Sequence, residues 1–405
     1  MNKIKIAFFV SHPIQYFAPL FKEFNKNSDI SLKVNYFSDE TIKIFEDKEF
    51  NKKIKWDINL LDGYNFEFLK NNSPIPTIKR PPFGLINFSI FKKIKKEKTD
   101  IVIIHGWNYI SHWIVFLVCF FRKIPVILRS EMPMSQEFKK NKIKLFFKKI
   151  VFKMFLFRKI SAFLVIGKEN YNFYLYYGVP ADKIFFAPYS VDNNRFNEQF
   201  NTYRNGKEQI KKDLGYNRYK RIILFVGKLI SKKNPIDLVK AFHLINNEDV
   251  ALILVGEGKY RLDIERYIKE NFLKNVFIAG FVNQLELWKY YIISDLFVLP
   301  SGTGETWGLV VNEAMNFKLP VIVSDTAGCA IDLVIDDVNG YKFREGDIKD
   351  LSEKISLILS NENKIKKMGE ESLKIINKYS YEETIRGFMR SIDFIFRNRK
   401  IKIKI

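Results

Sequence analysis

The feature that most constrains this chain is a rhythm that occurs twice: short, almost uninterrupted apolar runs alternate with longer amphipathic stretches, pause near residue 200, and then restart. In the first half the runs are Ile4–Val10, Leu32–Phe37, Ile101–His105, Pro125–Arg129 and Ala162–Ile166. In the second half they are Arg221–Val226, Ala251–Val255, Val276–Ala279, Leu296–Pro300 and Pro320–Ser324. Runs apolar on both faces, separated by helical patterns, are what a parallel sheet covered on both sides requires. The chain has 405 residues, too many for one ordinary core. The expectation is therefore α/β: two doubly wound Rossmann-like domains facing across a cleft, over 1–200 and 201–380, with 381–405 returning to the first. The stretch from Tyr189 to about Tyr219, rich in Asn and Gly, reads as a linker, and Asn339-Gly340 reads as a hairpin turn. A last helix over Tyr381–Phe396 runs into the basic tail Arg397–Ile405.

With 47% apolar and 16% aromatic residues, intrinsic disorder is excluded. Cys119 and Cys329, far apart, give neither a disulfide framework nor a metal spacing, which points to a reducing, cytoplasmic setting. The apolar stretch Ile6–Val10 is too short for a signal-peptide core. Ile101–Phe121 approaches membrane-spanning length, but His105, Gly106, Asn108, Ser111 and His112 interrupt it, so a strand, a loop and a buried helix describe it better. The formal charge of +22 is concentrated in residues 1–200, where 33 basic residues meet 18 acidic ones. That excess implies an anionic partner, although a lysine-rich composition alone also produces it. No nucleic-acid module is recognisable.

Two stretches carry chemistry. In Leu299-Pro-Ser-Gly-Thr-Gly-Glu-Thr-Trp-Gly-Leu-Val-Val-Asn-Glu-Ala-Met315 a strand enters a Gly-containing turn and then a helix expected to start near Thr306. Glu305 and Glu313 would then stand about 12 Å apart along the helix axis. That separation suits a ligand with a diol at each end, such as a nucleoside diphosphate-sugar, because carboxylates accept from vicinal hydroxyls. Gly302 and Gly304 allow close backbone approach, and the helix N-terminus around Thr306 can offer amides to phosphate or sugar oxygens. A capped helix with two solvated acids is the plainer alternative. In Phe225-Val-Gly-Lys-Leu-Ile-Ser-Lys-Lys-Asn-Pro235, Gly227 permits a tight turn across which Lys228 and Lys233 can address one phosphate group. Cations there would neutralise a departing diphosphate; a solvated basic loop is the alternative.

Together these stretches resemble the retaining nucleotide-sugar glycosyltransferases of family 4, which have the GT-B fold. The likeness is specific over most of 220–345 and loose over the first half. By that resemblance Glu305 holds the donor sugar's hydroxyls and Glu313 the ribose, while Lys228 and Lys233 form the diphosphate motif. Lys228 replaces the family's usual Arg and Asn234 its usual Gly; a lysine keeps the charge and loses the bidentate fork. Val255-Gly-Glu-Gly258, with Gly256, looks like the family's strand-end loop, Val282-Asn-Gln284 like the part around the base, and Phe317-Lys-Leu-Pro320 departs from a usual Gly-x-Pro. Where the family has a Gly-rich loop after the first strand, this chain has Ser11-His-Pro-Ile-Gln-Tyr16, so Ser11, His12 and Gln15 are read as groups touching donor or acceptor. His12 is equally readable as a core or cap residue. His105 matches the family's histidine that contacts the donor sugar, with a buried hydrogen-bonded histidine as the alternative. Arg129 and Glu131 line the acceptor side or pair with each other.

The resemblance implies transfer of a hexose from a UDP- or GDP-sugar to a saccharide or lipid-linked acceptor in cell-surface glycan synthesis, with retained configuration and no cofactor. The sequence has no Asp-x-Asp pair for a divalent metal. The segment 138–160 holds nine Lys/Arg and no acid among Phe, Ile, Leu and Met, and reads as contact with an anionic membrane or as an ordinary solvated helix. The first setting makes the protein peripheral on the inner face of a cell membrane. Alternatives are a nucleotide-sugar epimerase of the same build and a basic membrane- or nucleic-acid-binding protein. A dinucleotide-dependent oxidoreductase fails, because no strand opens into Gly-x-Gly-x-x-Gly.

Overall fold

The computed structural model describes residues 3–42, 45–47, 52–54, 57–138 and 141–398. The basic tail beyond Asn398, and Lys139 and Lys140 of the basic segment, lie outside them. The chain divides into two compact units: the first is Met1–Phe45, Ile58–Tyr189 and Tyr381–Ile405, the second Glu46–Asp57 and Ser190–Ser380.

The first unit is built on seven strands: β1 (Ile4–Val10), β2 (Ile30–Tyr36), β3 (Phe66–Phe68), β4 (Ile101–His105), β5 (Val126–Arg129), β6 (Ala162–Val165) and β7 (Ile184–Phe186). They lie in the order β3-β2-β1-β4-β5-β6-β7, every neighbouring pair parallel. Central β4 is buried on both faces from Ile101 to Ile104, which is why its sequence shows no alternation. The uncharged run 101–121 resolves into β4, a loop and the helix Ile110–Arg122. No helix among the described residues is long and apolar enough to cross a membrane. The last helix, Tyr381–Asn398, completes this unit. Its Phe388 ring lies 5.9 Å from Phe8 and 5.2 Å from Phe24, and Thr384 donates to the Pro188 carbonyl at 2.8 Å. Gly387 lets it approach the sheet edge, since a Cβ there would stand 2.1 Å from the Phe186 carbonyl oxygen.

The second unit is built on a six-stranded sheet: β8 (Arg221–Val226), β9 (Val250–Val255), β10 (Val276–Gly280), β11 (Leu296–Leu299), β12 (Val321–Ser324) and β13 (Gly340–Phe343). Their order is β10-β9-β8-β11-β12-β13, again all parallel. Each sheet therefore reverses its winding between its first and fourth strands, β1/β4 in one unit and β8/β11 in the other. Such reversals open a crevice at the strands' carboxyl ends.

Two sequence expectations are overturned. The stretch after Tyr189 is not an irregular linker: it forms helices Asn193–Tyr203 and Lys207–Asp213. The Asp192 side chain caps the first by accepting from the Arg195 amide, and buried Phe196 and half-buried Phe200 pack on Phe317. Asn339-Gly340 does not turn a hairpin either, because Gly340 opens β13 parallel to β12. A Cβ on it would stand 1.7 Å from the Val321 carbonyl oxygen, so the glycine is needed for close strand approach.

The departure at Lys318 has a backbone reason. Helix Leu309–Asn316 ends in a Schellman arrangement, with Lys318 N–H on the Met315 carbonyl (3.1 Å), Leu319 N–H on that of Ala314 (3.3 Å) and Lys318 at φ +55°. A lysine holds the conformation that a glycine adopts without strain. Lys318→Gly is expected to stabilise this unit by about 0.5–1 kcal/mol, read as a higher denaturant midpoint.

Candidate functional site

In the second unit the candidate residues follow the two strands that flank the reversal. After β8 the chain turns at Gly227, whose N–H donates to the Val255 carbonyl at 2.9 Å. Opposite it stands Gly256, at φ +151°; a Cβ there would fall 1.8 Å from the Gly227 carbonyl oxygen. The loops after β8 and β9 thus touch backbone to backbone, and Leu229 N–H to the Glu257 carbonyl at 2.9 Å continues the seam. Lys228 is half-buried in this loop. Lys233 ends a short 3₁₀ turn, Ser231–Lys233, and Asn234, at φ +45°, passes the chain into helix Pro235–Ile245. The residue standing in for the family's glycine therefore has the left-handed backbone that asparagine tolerates.

The loop after β11 is fastened to this turn. Gly302 N–H donates to the Lys232 carbonyl at 2.9 Å and the Asn234 side-chain amide donates to the Pro300 carbonyl at 3.3 Å. Across the seam Lys233 makes an ion pair with Glu305, and Lys232 Nζ lies 3.9 Å from the other carboxylate oxygen. Glu305 is only 6% exposed. Burial pushes its carboxyl up, but the two ammonium groups outweigh it and hold it below the usual carboxylate range.

The helix starts at Leu309, not near Thr306, so the loop is longer and the 12 Å axial estimate between the two acids does not apply. Gly328 explains the late start: its N–H donates to the Glu305 carbonyl at 3.0 Å, and a Cβ there would strike the Thr306 carbonyl oxygen at 1.9 Å, so the incoming loop is held in extended contact with this neighbour. Gly308, at φ +108°, then turns the chain into the helix. Gly304 is also left-handed, at φ +105°. Gly302 has a steric role: a Cβ would fall 2.0 Å from Glu345 Oε1, which accepts from the Thr303 amide at 3.0 Å. Glu313 is fully buried and receives the Tyr291 hydroxyl at 2.7 Å. Sequence reasoning missed Lys232, Glu345 and the Arg195–Gln284 hydrogen bond (3.1 Å). Lys232 left a signal as the neighbour of Lys233, and Gln284 as part of Val282-Asn-Gln284; Glu345 and Arg195 left none.

In the first unit the candidates again follow the reversal. Ser11 Oγ lies 2.9 Å from His12 Nδ1, just past β1. His105, the last residue of β4, has Nε2 at 3.1 Å from Glu131 Oε1, its ring edge-on to Phe17 at 4.9 Å, and its buried Nδ1 has no hydrogen-bond partner. Gln15 Oε1 is likewise buried without one. Burial alone would raise the Glu131 carboxyl, but His105, Tyr189 and Arg129 hold it below its usual range. Arg129 is 1% exposed, its guanidinium 5.6 Å from the Phe17 and Tyr189 rings and 5.7 Å from Phe388.

Burial, then repulsion from His105, lowers His12 to about 4. His112 is lowered to about 3, chiefly by burial; it accepts the Tyr109 amide at Nδ1, so its Nε2 donates to the His105 carbonyl at 2.9 Å. Both rings are neutral when folded, whereas in the unfolded chain they bind a proton near pH 6.5. Their stabilising contribution is whole above that value and is lost as pH falls towards 4 and 3. From about pH 7 to about pH 5 each is expected to remove about 2 kcal/mol, seen as a falling unfolding midpoint that His112→Gln flattens.

Residues 206–375 match the family described as glycosyl transferases group 1. An uncharacterized glycosyltransferase of Methanocaldococcus jannaschii is 30% identical over 164 residues, 40% of this chain and 45% of its own. The UDP-Gal:alpha-D-GlcNAc-diphosphoundecaprenol alpha-1,3-galactosyltransferase of Escherichia coli is 26% identical over 311 residues, 74% of each chain. The chain spans about half the length, or less, of the first curated relatives it matches. The crystal structure of Anabaena HepE with UDP and glucose superposes with a TM-score of 0.71 at 16% identity, covering 96% of this chain and 99% of that one, a likeness of fold. Residues 206–375 are thus similar to the glycosyl transferases group 1 family, and the two parallel sheets give the chain the GT-B fold of the glycosyltransferase structures it superposes on.

Proposed function

We propose that the protein transfers a hexose from a UDP- or GDP-sugar to a saccharide or lipid-linked acceptor in cell-surface glycan synthesis, retaining the anomeric configuration. The observation that carries this reading is the Lys233–Glu305 pair, held where the loops after β8 and β11 are stitched together. A carboxylate kept ionised by lysines suits sugar hydroxyls, and the lysines suit a diphosphate. The second unit binds the donor: Lys228 and Lys233 take the diphosphate, Glu305 the sugar and Glu313 the ribose. As the glycosidic bond breaks, the departing phosphate oxygen takes the proton of the acceptor hydroxyl, whose oxygen bonds to the anomeric carbon on the same face. The first unit binds the acceptor through Ser11, His12, Gln15, Arg129 and Glu131. The E. coli relative, named for a UDP-sugar donor and a diphosphoundecaprenol-linked acceptor, supports a lipid-linked acceptor here. The protein works in the cytoplasm and touches the membrane through 138–160.

A thermal-shift screen of UDP, GDP and their sugars tests donor binding, because a ligand bound only by the folded state raises the Tm. Release of free nucleotide only when acceptor is present separates transfer from epimerisation, and the anomeric proton coupling of the product reads retention. Turnover is expected to survive a chelator, since lysines and backbone amides carry the leaving-group charge. An absent shift with every nucleotide overturns the reading.

A further inference from the structure

Helix Ile110–Arg122 buries Ile114, Val115, Val118 and Cys119 inward, yet its outward positions Trp113, Leu117, Phe120 and Phe121 are also apolar, with Phe121 76% exposed. A helix apolar on every side is normally covered on every side. Beside it runs the segment from helix Lys142–Ile150 through the π-helical turn Val151–Leu156 to Phe157–Lys159. This segment buries Phe152, Leu156 and Phe157 but leaves Phe146, Phe147 and Phe155 each more than 60% exposed. The two share one side of the unit: Lys159 Nζ lies 4.7 Å from the Phe120 ring, and Trp107 packs on Phe152 at 5.3 Å while its carbonyl accepts from the Trp113 indole at 3.0 Å. Nearly all exposed aromatic rings among the described residues belong to the first unit; on the second they are Tyr203 and Phe272.

We infer that these two segments form one docking face for an anionic lipid bilayer, a face wider than 138–160 and resting on the membrane contact proposed above. Charge selects the occupant. The nine Lys/Arg of 138–160 have no acid among them, and Arg122 and Lys123 stand exposed at the end of the first helix. A second copy would bring the same cations against them, whereas anionic headgroups complement them while the rings enter the acyl boundary. With no described helix able to span, the face lies in the interface.

The test is sedimentation of the full chain with phosphatidylcholine vesicles, with and without phosphatidylglycerol. Binding is expected to require phosphatidylglycerol and to weaken with salt. Phe121→Ser/Phe147→Ser, at exposed positions, is expected to lower partitioning about tenfold or more while leaving nucleotide-induced thermal shifts unchanged. Partitioning unaffected by that variant, binding indifferent to phosphatidylglycerol, or a dimer that the variant converts to monomer would each overturn the inference. Vesicle binding without any nucleotide shift would remove the proposed transferase reading and leave this one standing.

Discussion

Lys233→Met and Glu305→Gln, made singly, are each expected to lower kcat/KM by about a hundred- to a thousandfold and to lower the Tm of the second unit; combined, they should return much of the stability and none of the activity. The stability arm follows from burial. Glu305 and Lys233 have side chains only 8% and 15% exposed, so removing one partner strands a charge, at roughly 3 kcal/mol. Lys232, at 3.9 Å, relieves part of that for Glu305. Removing both leaves two neutral side chains of similar size, which is often close to neutral. The activity arm differs because, on the proposed reading, each group meets its own part of the donor: the ammonium the phosphates, the carboxylate the sugar hydroxyls. Neither loss compensates the other. Steady-state kinetics and thermal scans on the three variants separate the outcomes. A double variant that recovers turnover along with stability would show the pair to be only a structural bridge.

Gly256→Ala should cost the second unit at least about 3 kcal/mol and abolish nucleotide-induced thermal shifts. Its methyl would stand 1.8 Å from the Gly227 carbonyl oxygen, so the loops after β8 and β9 would have to part, carrying Lys228 and the Lys233 turn with them. Gly346→Ala is the control. It too has a left-handed backbone, φ +81°, but nothing lies within 4 Å of the added carbon, so strain alone predicts about 1 kcal/mol. Equal melting of the two variants would refute the steric argument.

The central strands were legible because burial on both faces writes an unbroken apolar run, as in β4 and β9. The edge strands β3 and β7 were not: each is three residues long and only partly buried, with too little pattern to see. Helix Asn193–Tyr203 escaped notice because most of its residues are polar and Phe196 is its one fully buried large side chain. The acidic and lysine motifs were legible from spacing, but not that Lys233 and Glu305 pair, which depends on two loops meeting 72 positions apart. Asn234 and Lys318 teach a different point. Sequence comparison marks both as losses of glycine, yet both keep left-handed backbone, so the motif's geometry outlasts its residues.

The last helix also governs the order in which the protein is made. A ribosome releases every segment of the second unit before Tyr381–Asn398 emerges, while the first unit lacks Phe388 until then.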